Sequence, residues 1–226
     1  MHSVYSMQMR KIDRPSLSRE VAARVRREIV GGGLEEGSRI NEVALAEELQ
    51  VSRTPLREAL SSLTAEGFLE SIPRRGFFVL PLSTKEFLDL YAMRAILDPA
   101  ALESAGLPSP AQIEKLEALN EQIKAAVGDA DRVIELDDRW HLELVGHGKN
   151  DVLINLICQF IRRTRRYEQR YLREAENVAV ATGEHERIIE RLRADDLEGA
   201  CAALRANMQS GLKPILAWLQ KREKES

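Results

Sequence analysis

The sequence predicts a mainly α protein, an N-terminal winged helix-turn-helix followed by a C-terminal all-α bundle of about six helices. Three observations carry this reading. Apolar residues recur at helical spacing along most of the chain, with Gly, Pro and Asn between the stripes. The β-type runs are two short ones, residues 68–72 and 77–80, joined by Pro73-Arg74-Arg75-Gly76. Beyond Ser83 every segment reads as helix. A chain of 226 residues has room for one large or two small domains, each with a real core. The expected organisation is a flexible tail over 1–16, a winged unit over 17–82 and a helical unit over 83–226, with Pro81-Leu82-Ser83 as linker.

The winged unit opens with a helix from Leu17-Ser18 whose apolar stripe is Val21, Val25, Ile29 and Val30. It stops at Gly31-Gly32-Gly33, which propagate helix poorly and accept left-handed caps. Asn41 is placed to cap a second helix through Leu49, with Val43, Ala44, Ala46 and Leu49 available for packing. Gln50-Val51 turns into a third helix. There Ser52 or Thr54 can cap, and Pro55 is tolerated only in the first turn. Leu56, Ala59, Leu60 and Leu63 form its packing face, while Arg53, Arg57 and Ser61 line up on another. Gly67 is positioned to end it.

Hydroxyls and a helix N-terminus hold phosphates, and arginine reads guanine edges. The third helix alone fits either DNA insertion or an ordinary amphipathic helix with a solvated basic face. The hairpin favours DNA, because Arg74 and Arg75 at its tip can reach a neighbouring backbone or minor groove. Net charge permits this without establishing it. Residues 1–82 carry 12 Lys/Arg against 11 Asp/Glu, a net of +1, and the remainder carries 21 against 25, a net of −4. No apolar run approaches the roughly 18–20 residues of a membrane span, and no signal peptide is visible. Cys158 and Cys201 lack motif partners and read as small buried hydrophobes of a reduced, cytoplasmic protein.

In the helical unit, Thr84 is expected to cap a helix over 85–104, with Phe87, Leu88, Tyr91, Ile96 and Leu97 buried. Further helices are expected over 111–127, 131–145, 151–174 and 184–193, and a last one from Asp195-Asp196 to about Lys221. Asp137 and His141, four apart, project from one helix face and can share a divalent cation. On the long helix, Leu153, Leu156, Phe160, Arg163, Tyr167 and Tyr171 form one stripe, with Arg163 standing where an apolar residue is expected. A buried arginine needs a partner. A ligand anion is one candidate and an internal acid such as Asp98 or Glu168 is another; Arg94 has the same ambiguity with Asp98.

Residues Gly37 to Leu49, Val51 to Leu60, Glu66-Gly67 and Arg75-Gly76 resemble the winged-helix domain of GntR-type bacterial transcription regulators. Arg94 with Asp98, Asp137 to His141, Gly148 to Asn150, Glu184-His185, Asp196 and Ala200 resemble the FCD ligand-sensing domain of the FadR subgroup. The resemblance implies a homodimer that binds a palindromic double-stranded operator and answers to a small organic acid. It places the DNA contacts at Ser52, Arg53, Thr54 and Arg57, with Arg75 and Gly76 in the wing. The fatty-acyl-responsive member carries an arginine where Val43 stands here, so its base preference does not transfer.

In the metal-binding branch of that subgroup, the positions of Asp137, His141 and His185 are ligands, joined by a histidine from the last helix. Here that fourth position is Asn207. An amide oxygen is a weaker ligand than imidazole for zinc or nickel and a better one for harder cations such as manganese. Three readings stay open: a metal held by three residues with water or Asn207, a metal-free effector pocket, or satisfied core polar groups. The rival functions are a metal-free regulator binding a larger ligand such as an acyl thioester, and a metal-dependent enzyme with a DNA-binding appendage. Against the enzyme, the sequence has no nucleophile motif, no phosphate loop and no general base beside the metal candidates.

Overall fold

The computed structural model describes residues 17–225; the expected flexible tail over 1–16 lies outside them. The chain divides into two compact units, one running to Ala65 and resuming over Leu69–Val79, the other comprising Glu66–Phe68 and everything from Leu80 onward.

The first unit holds α1 (Leu17–Gly31), α2 (Glu42–Glu48), α3 (Arg53–Ala65) and the antiparallel pair β1 (Leu69–Ile72) and β2 (Gly76–Val79). Its core is the apolar face of α3, where Leu56, Ala59, Leu60 and Leu63 are all buried, packed against α1 through Val21 and Val25. Asn41 caps α2 by accepting from the amides of Val43 and Ala44, both at 3.2 Å, a contact worth about 1 kcal/mol. In this seven-residue helix Leu45 and Ala46 point inward and Val43 outward, correcting the expectation that Val43 packs. A two-turn helix is too short for periodicity to settle which face is buried. Gly67 ends α3 with φ +79°, the left-handed conformation that glycine adopts without steric cost.

The β1–β2 register pairs Leu69 with Val79 and Ile72 with Gly76, so residues 73–75 form the turn and Gly76 begins β2. Arg74 takes φ +62° at the tip. Residues 37–40 run beside β2 and bridge it between Arg39 and Phe78: the Gly37 amide donates to the Val79 carbonyl at 2.8 Å, the Val79 amide to that of Ser38 at 2.9 Å, and the Ile40 amide to that of Phe77 at 2.9 Å.

The second unit contains α4 (Thr84–Ala105), α5 (Pro110–Ala125), α6 (Ala130–Val145), α7 (Asp151–Tyr171), α8 (Ala175–Arg193), α9 (Leu197–Ser210) and α10 (Leu212–Glu225). Ser83, not Thr84, caps α4, accepting from the Glu86 amide at 3.2 Å. On α4, Leu88 and Ile96 are exposed, and Arg94 and Asp98 are buried in the face that they were expected to share. Helix α8 begins nine residues before the expected start, with Gly183 inside it rather than before it. The expected last helix is two helices split at Gly211, where an added Cβ would lie 3.1 Å from the Tyr91 hydroxyl. The bundle therefore has seven helices among the described residues. Its main core is built on Leu102, Leu116, Ile123, Trp140, Ile188 and Leu204, and a second cluster gathers Phe87, Tyr91, Tyr167, Ile215 and Leu219.

Candidate nucleic-acid interface and metal centre

Because α3 turns its leucines inward, the remaining face carries its polar residues into solvent. Ser52, at the cap position, and Arg53, Thr54 and Arg57 are all exposed. Arg53 and Arg57 line one concavity of about 500 Å³ together with Arg39, Ile40, Asn41, Glu42 and Val43. The Arg57 side chain, 63% exposed, places its Nε 3.2 Å from a Glu42 carboxylate oxygen. Arg74 and Arg75 are exposed at the hairpin tip, and the Arg75 guanidinium lies 5.2 Å from the Phe78 ring centroid. Gly76 sits at the wing's root with φ +95°.

In the second unit, helix geometry brings together what the sequence separates. Asp137 and His141 share a face of α6, and His185 projects from α8, so that one ligand atom from each lies within 4.8 Å of the others. His141 Nε2 is 3.7 Å and His185 Nε2 3.6 Å from the two Asp137 carboxylate oxygens. All three side chains are buried.

His185 is held in one orientation and one tautomer. Trp140 stacks on its ring at 3.7 Å and 7°, and the indole N–H donates to the Leu116 carbonyl at 3.1 Å. Asn120 donates through Nδ2 to the Thr182 carbonyl at 3.1 Å, leaving its Oδ1 to accept from His185 Nδ1 at 3.0 Å. The proton therefore sits on Nδ1 and the Nε2 lone pair faces Asp137, with no hydrogen-bond partner. Outer-shell partners of this kind fix metal-ligating histidines. Burial holds both imidazoles neutral, His141 well below its usual range and His185 down to about 3.

Asn207, from α9, borders the same pocket as Asp137 and His141. Its Nδ2 donates to Glu184 Oε2 at 2.9 Å, and the Ser210 hydroxyl donates to that same oxygen at 2.8 Å. Its Oδ1 is then left buried and unpartnered. Burial, with Glu168 and Asp138 adding negative charge, pushes the Asp137 carboxyl well above the usual carboxylate range. A divalent cation would relieve that repulsion and supply what the unpartnered acceptors lack; the donor set fits one.

Arg94 also borders the pocket, but its guanidinium is occupied. Nη2 meets Asp98 and Nη1 meets Glu168, each at 3.0 Å, with all three residues buried. Arg163 is not in the site. It is exposed and pairs with Glu86 at 2.6 Å, because α7 buries the adjoining face through Ile157, Ile161, Thr164 and Glu168. Among the described residues of α7 the buried arginine is instead Arg166, which donates to the carbonyls of Leu80 and Pro81. His147 lies in a turn and contacts the Gly106 carbonyl at 3.1 Å, apart from the triad. Sequence reasoning missed Asn120, although a polar residue beside Leu116, Leu119 and Ile123 on the packing face of α5 is a visible signal. Glu184 entered only through its motif, and its hold on Asn207 had no sequence signal.

A winged helix-turn-helix with an exposed arginine face, joined in one chain to a helical unit with a buried polar pocket, defines a DNA-binding transcription regulator. Residues 17–79 match the description "Bacterial regulatory proteins, gntR family", and residues 89–210 match the FCD domain. The chain belongs to this family. It is 36% identical over 188 residues to the "Nta operon transcriptional regulator" of Aminobacter aminovorans, covering 80% of this chain and 85% of that one. The "Gluconate operon transcriptional repressor" of Bacillus licheniformis is 31% identical over 137 residues, covering 59% and 56%. Among solved structures, "E. coli McbR/YncC" has the same fold, with TM-score 0.73 and 23% identity over 90% of this chain and 99% of that one. Among the described residues no helix is long and apolar enough to cross a membrane.

Proposed function

We propose that this regulator is a cytoplasmic homodimer that binds a palindromic operator through α3 and releases or grips it in response to a small organic acid sensed at a divalent metal. Ser52, Arg53, Thr54 and Arg57 read and hold the major groove, and Arg74, Arg75 and Gly76 approach the flanking backbone. One short recognition helix contacts few base pairs, so a two-fold dimer is the natural route to useful affinity. The exposed Leu88 and Ile96 of α4 are apolar surface that such a dimer can bury.

In the helical unit Asp137, His141 and His185 hold the metal, and Asn207 Oδ1, on the border of the same pocket, serves as a fourth donor. The observation that carries this reading is the convergence of buried acceptors without partners, His185 Nε2 and Asn207 Oδ1, beside a carboxylate that burial disfavours. When bound, the metal supplies a Lewis-acidic position for a carboxylate. Arg94, already neutralised by Asp98 and Glu168, acts mainly by holding the pocket wall and offers an anion only a secondary contact. The effector has to favour one DNA-binding state by its own differential affinity. Relatives named as transcriptional regulators support this reading over an enzyme.

Elemental analysis of full-length protein purified without chelator, after growth with zinc, nickel and manganese, tests the metal. About one divalent ion per chain is expected, lost in His141→Ala; less than about 0.1 per wild-type chain overturns the metal reading.

A further inference from the structure

We infer that Arg39 is an additional DNA-backbone contact and that Glu42 is a positioning residue that aims Arg57; both rest on α3 being the DNA-reading helix. Residues 38–40 run extended beside β2, bridged to it between Arg39 and Phe78, with Ile40 buried and Arg39 turned outward. A Cβ built on Gly76 would lie 3.8 Å from Arg39 Nε and Nη2 and 3.6 Å from Glu42 Oε1, so both side chains approach the root of the wing. Glu42's other oxygen reaches Arg57 Nε at 3.2 Å. The four residues thus link the wing to the recognition helix across one concavity, which Arg53 also lines. Three arginines face one glutamate there, and among the described residues Arg39 has no ion-pair partner of its own.

An exposed Glu–Arg pair contributes little to folding, so stability gives no reason for this arrangement. Its consequence for recognition is direct. With Nε engaged by Glu42, the two Nη groups of Arg57 are left to face a base edge as a fixed fork. Arg39 lies beside that fork, at the strand that borders the groove, where a duplex seated on α3 presents its phosphates. The Arg39 contact is sequence-independent, whereas Glu42 acts through the sequence-dependent contact of Arg57, so the two roles separate experimentally.

The experiment measures fluorescence anisotropy of the full-length chain on two labelled duplexes across a salt series. One duplex is selected by the wild-type protein from a randomised pool, and the other is a scramble of the same composition. Arg39→Ala is expected to weaken both several-fold and to reduce the slope of log affinity against log salt by about 0.9 for each arginine removed, with Arg39→Lys restoring the slope. Glu42→Gln is expected to lower the selected-to-scrambled ratio about tenfold with little change on the scramble. An unchanged slope in Arg39→Ala, or an unchanged ratio in Glu42→Gln, overturns the corresponding assignment. If Arg57→Ala loses discrimination while the other two variants behave as wild type, the DNA reading stands and this inference falls. If the wild-type chain selects no duplex, both fall.

Discussion

The two units treat charge in opposite ways. The winged unit keeps its arginines on the surface over a fully apolar support: Leu56, Leu60 and Leu63 hold α3 in place, and Arg53 and Arg57 stand clear of that packing. The helical unit buries Arg94, Asp98, Asp137, His141, Glu168 and His185 within its bundle. Each arrangement suits its ligand. A polyanion the size of a duplex is met by exposed donors that lose little hydration until contact, whereas a single small cation is held by donors that burial has already stripped of water. The fold therefore tolerates loss of charge in the first unit and depends on it in the second.

The sharpest way to break this contrast is Arg94→Ala. Removing the cation leaves Asp98 and Glu168 buried together without compensation, and unfolding in urea is expected to show a loss of about 3–5 kcal/mol. A loss below 1 kcal/mol would mean that the network is not structural. Asn120→Ala acts on the tautomer of His185 rather than on a ligand. Metal competition assays are expected to show affinity reduced by about 10–100-fold, whereas an effect on stability alone would remove Asn120 from the site. For the first unit, Arg57→Ala should weaken operator binding by about 1–3 kcal/mol in a titration and change folding stability by less than about 0.5 kcal/mol. Equal losses in both measurements would make Arg57 an element of the fold. The smallest expected effect is at Gly183, inside α8, where an added Cβ meets nothing within 4 Å. Gly183→Ala is expected to raise stability by about 0.5–1 kcal/mol; a decrease would show that the site needs backbone freedom there.

The same contrast explains what the sequence reveals. The packing face of α3 is legible residue by residue, because a thirteen-residue amphipathic helix with a polar surface repeats its pattern often enough to be read. Helix α4 is apolar on more than one side, so its periodicity does not distinguish buried Leu90 from exposed Ile96. Gly183 resembles a break but stands inside α8, where packing on both sides through Ala181, Thr182 and His185 outweighs its weak propensity. The break at Gly211 does leave a local mark: Pro214, in the first turn of α10, has no N–H to give to the Ser210 carbonyl and its ring crowds that group, so one helix cannot run through. Of the pocket, Asp137 and His141 are joined by helical spacing, but their meeting with His185 rests on tertiary packing and was anticipated only by family resemblance. Arg163 falls outside the pocket because the buried face of α7, which includes Ile157, Ile161 and Thr164, is rotated from the stripe that its apolar spacing suggests.

The central claim is that the helical unit is built around a cation, and titration of chelator-stripped full-length protein tests it most directly. Manganese and zinc would be added separately to the wild type, His141→Ala and Asn207→His while metal binding is followed by calorimetry. One site per chain is expected in the wild type, with its loss in His141→Ala and a shift of preference toward zinc when Asn207→His supplies a third imidazole. Absence of saturable binding in the wild type, or binding that His141→Ala leaves intact, would contradict it.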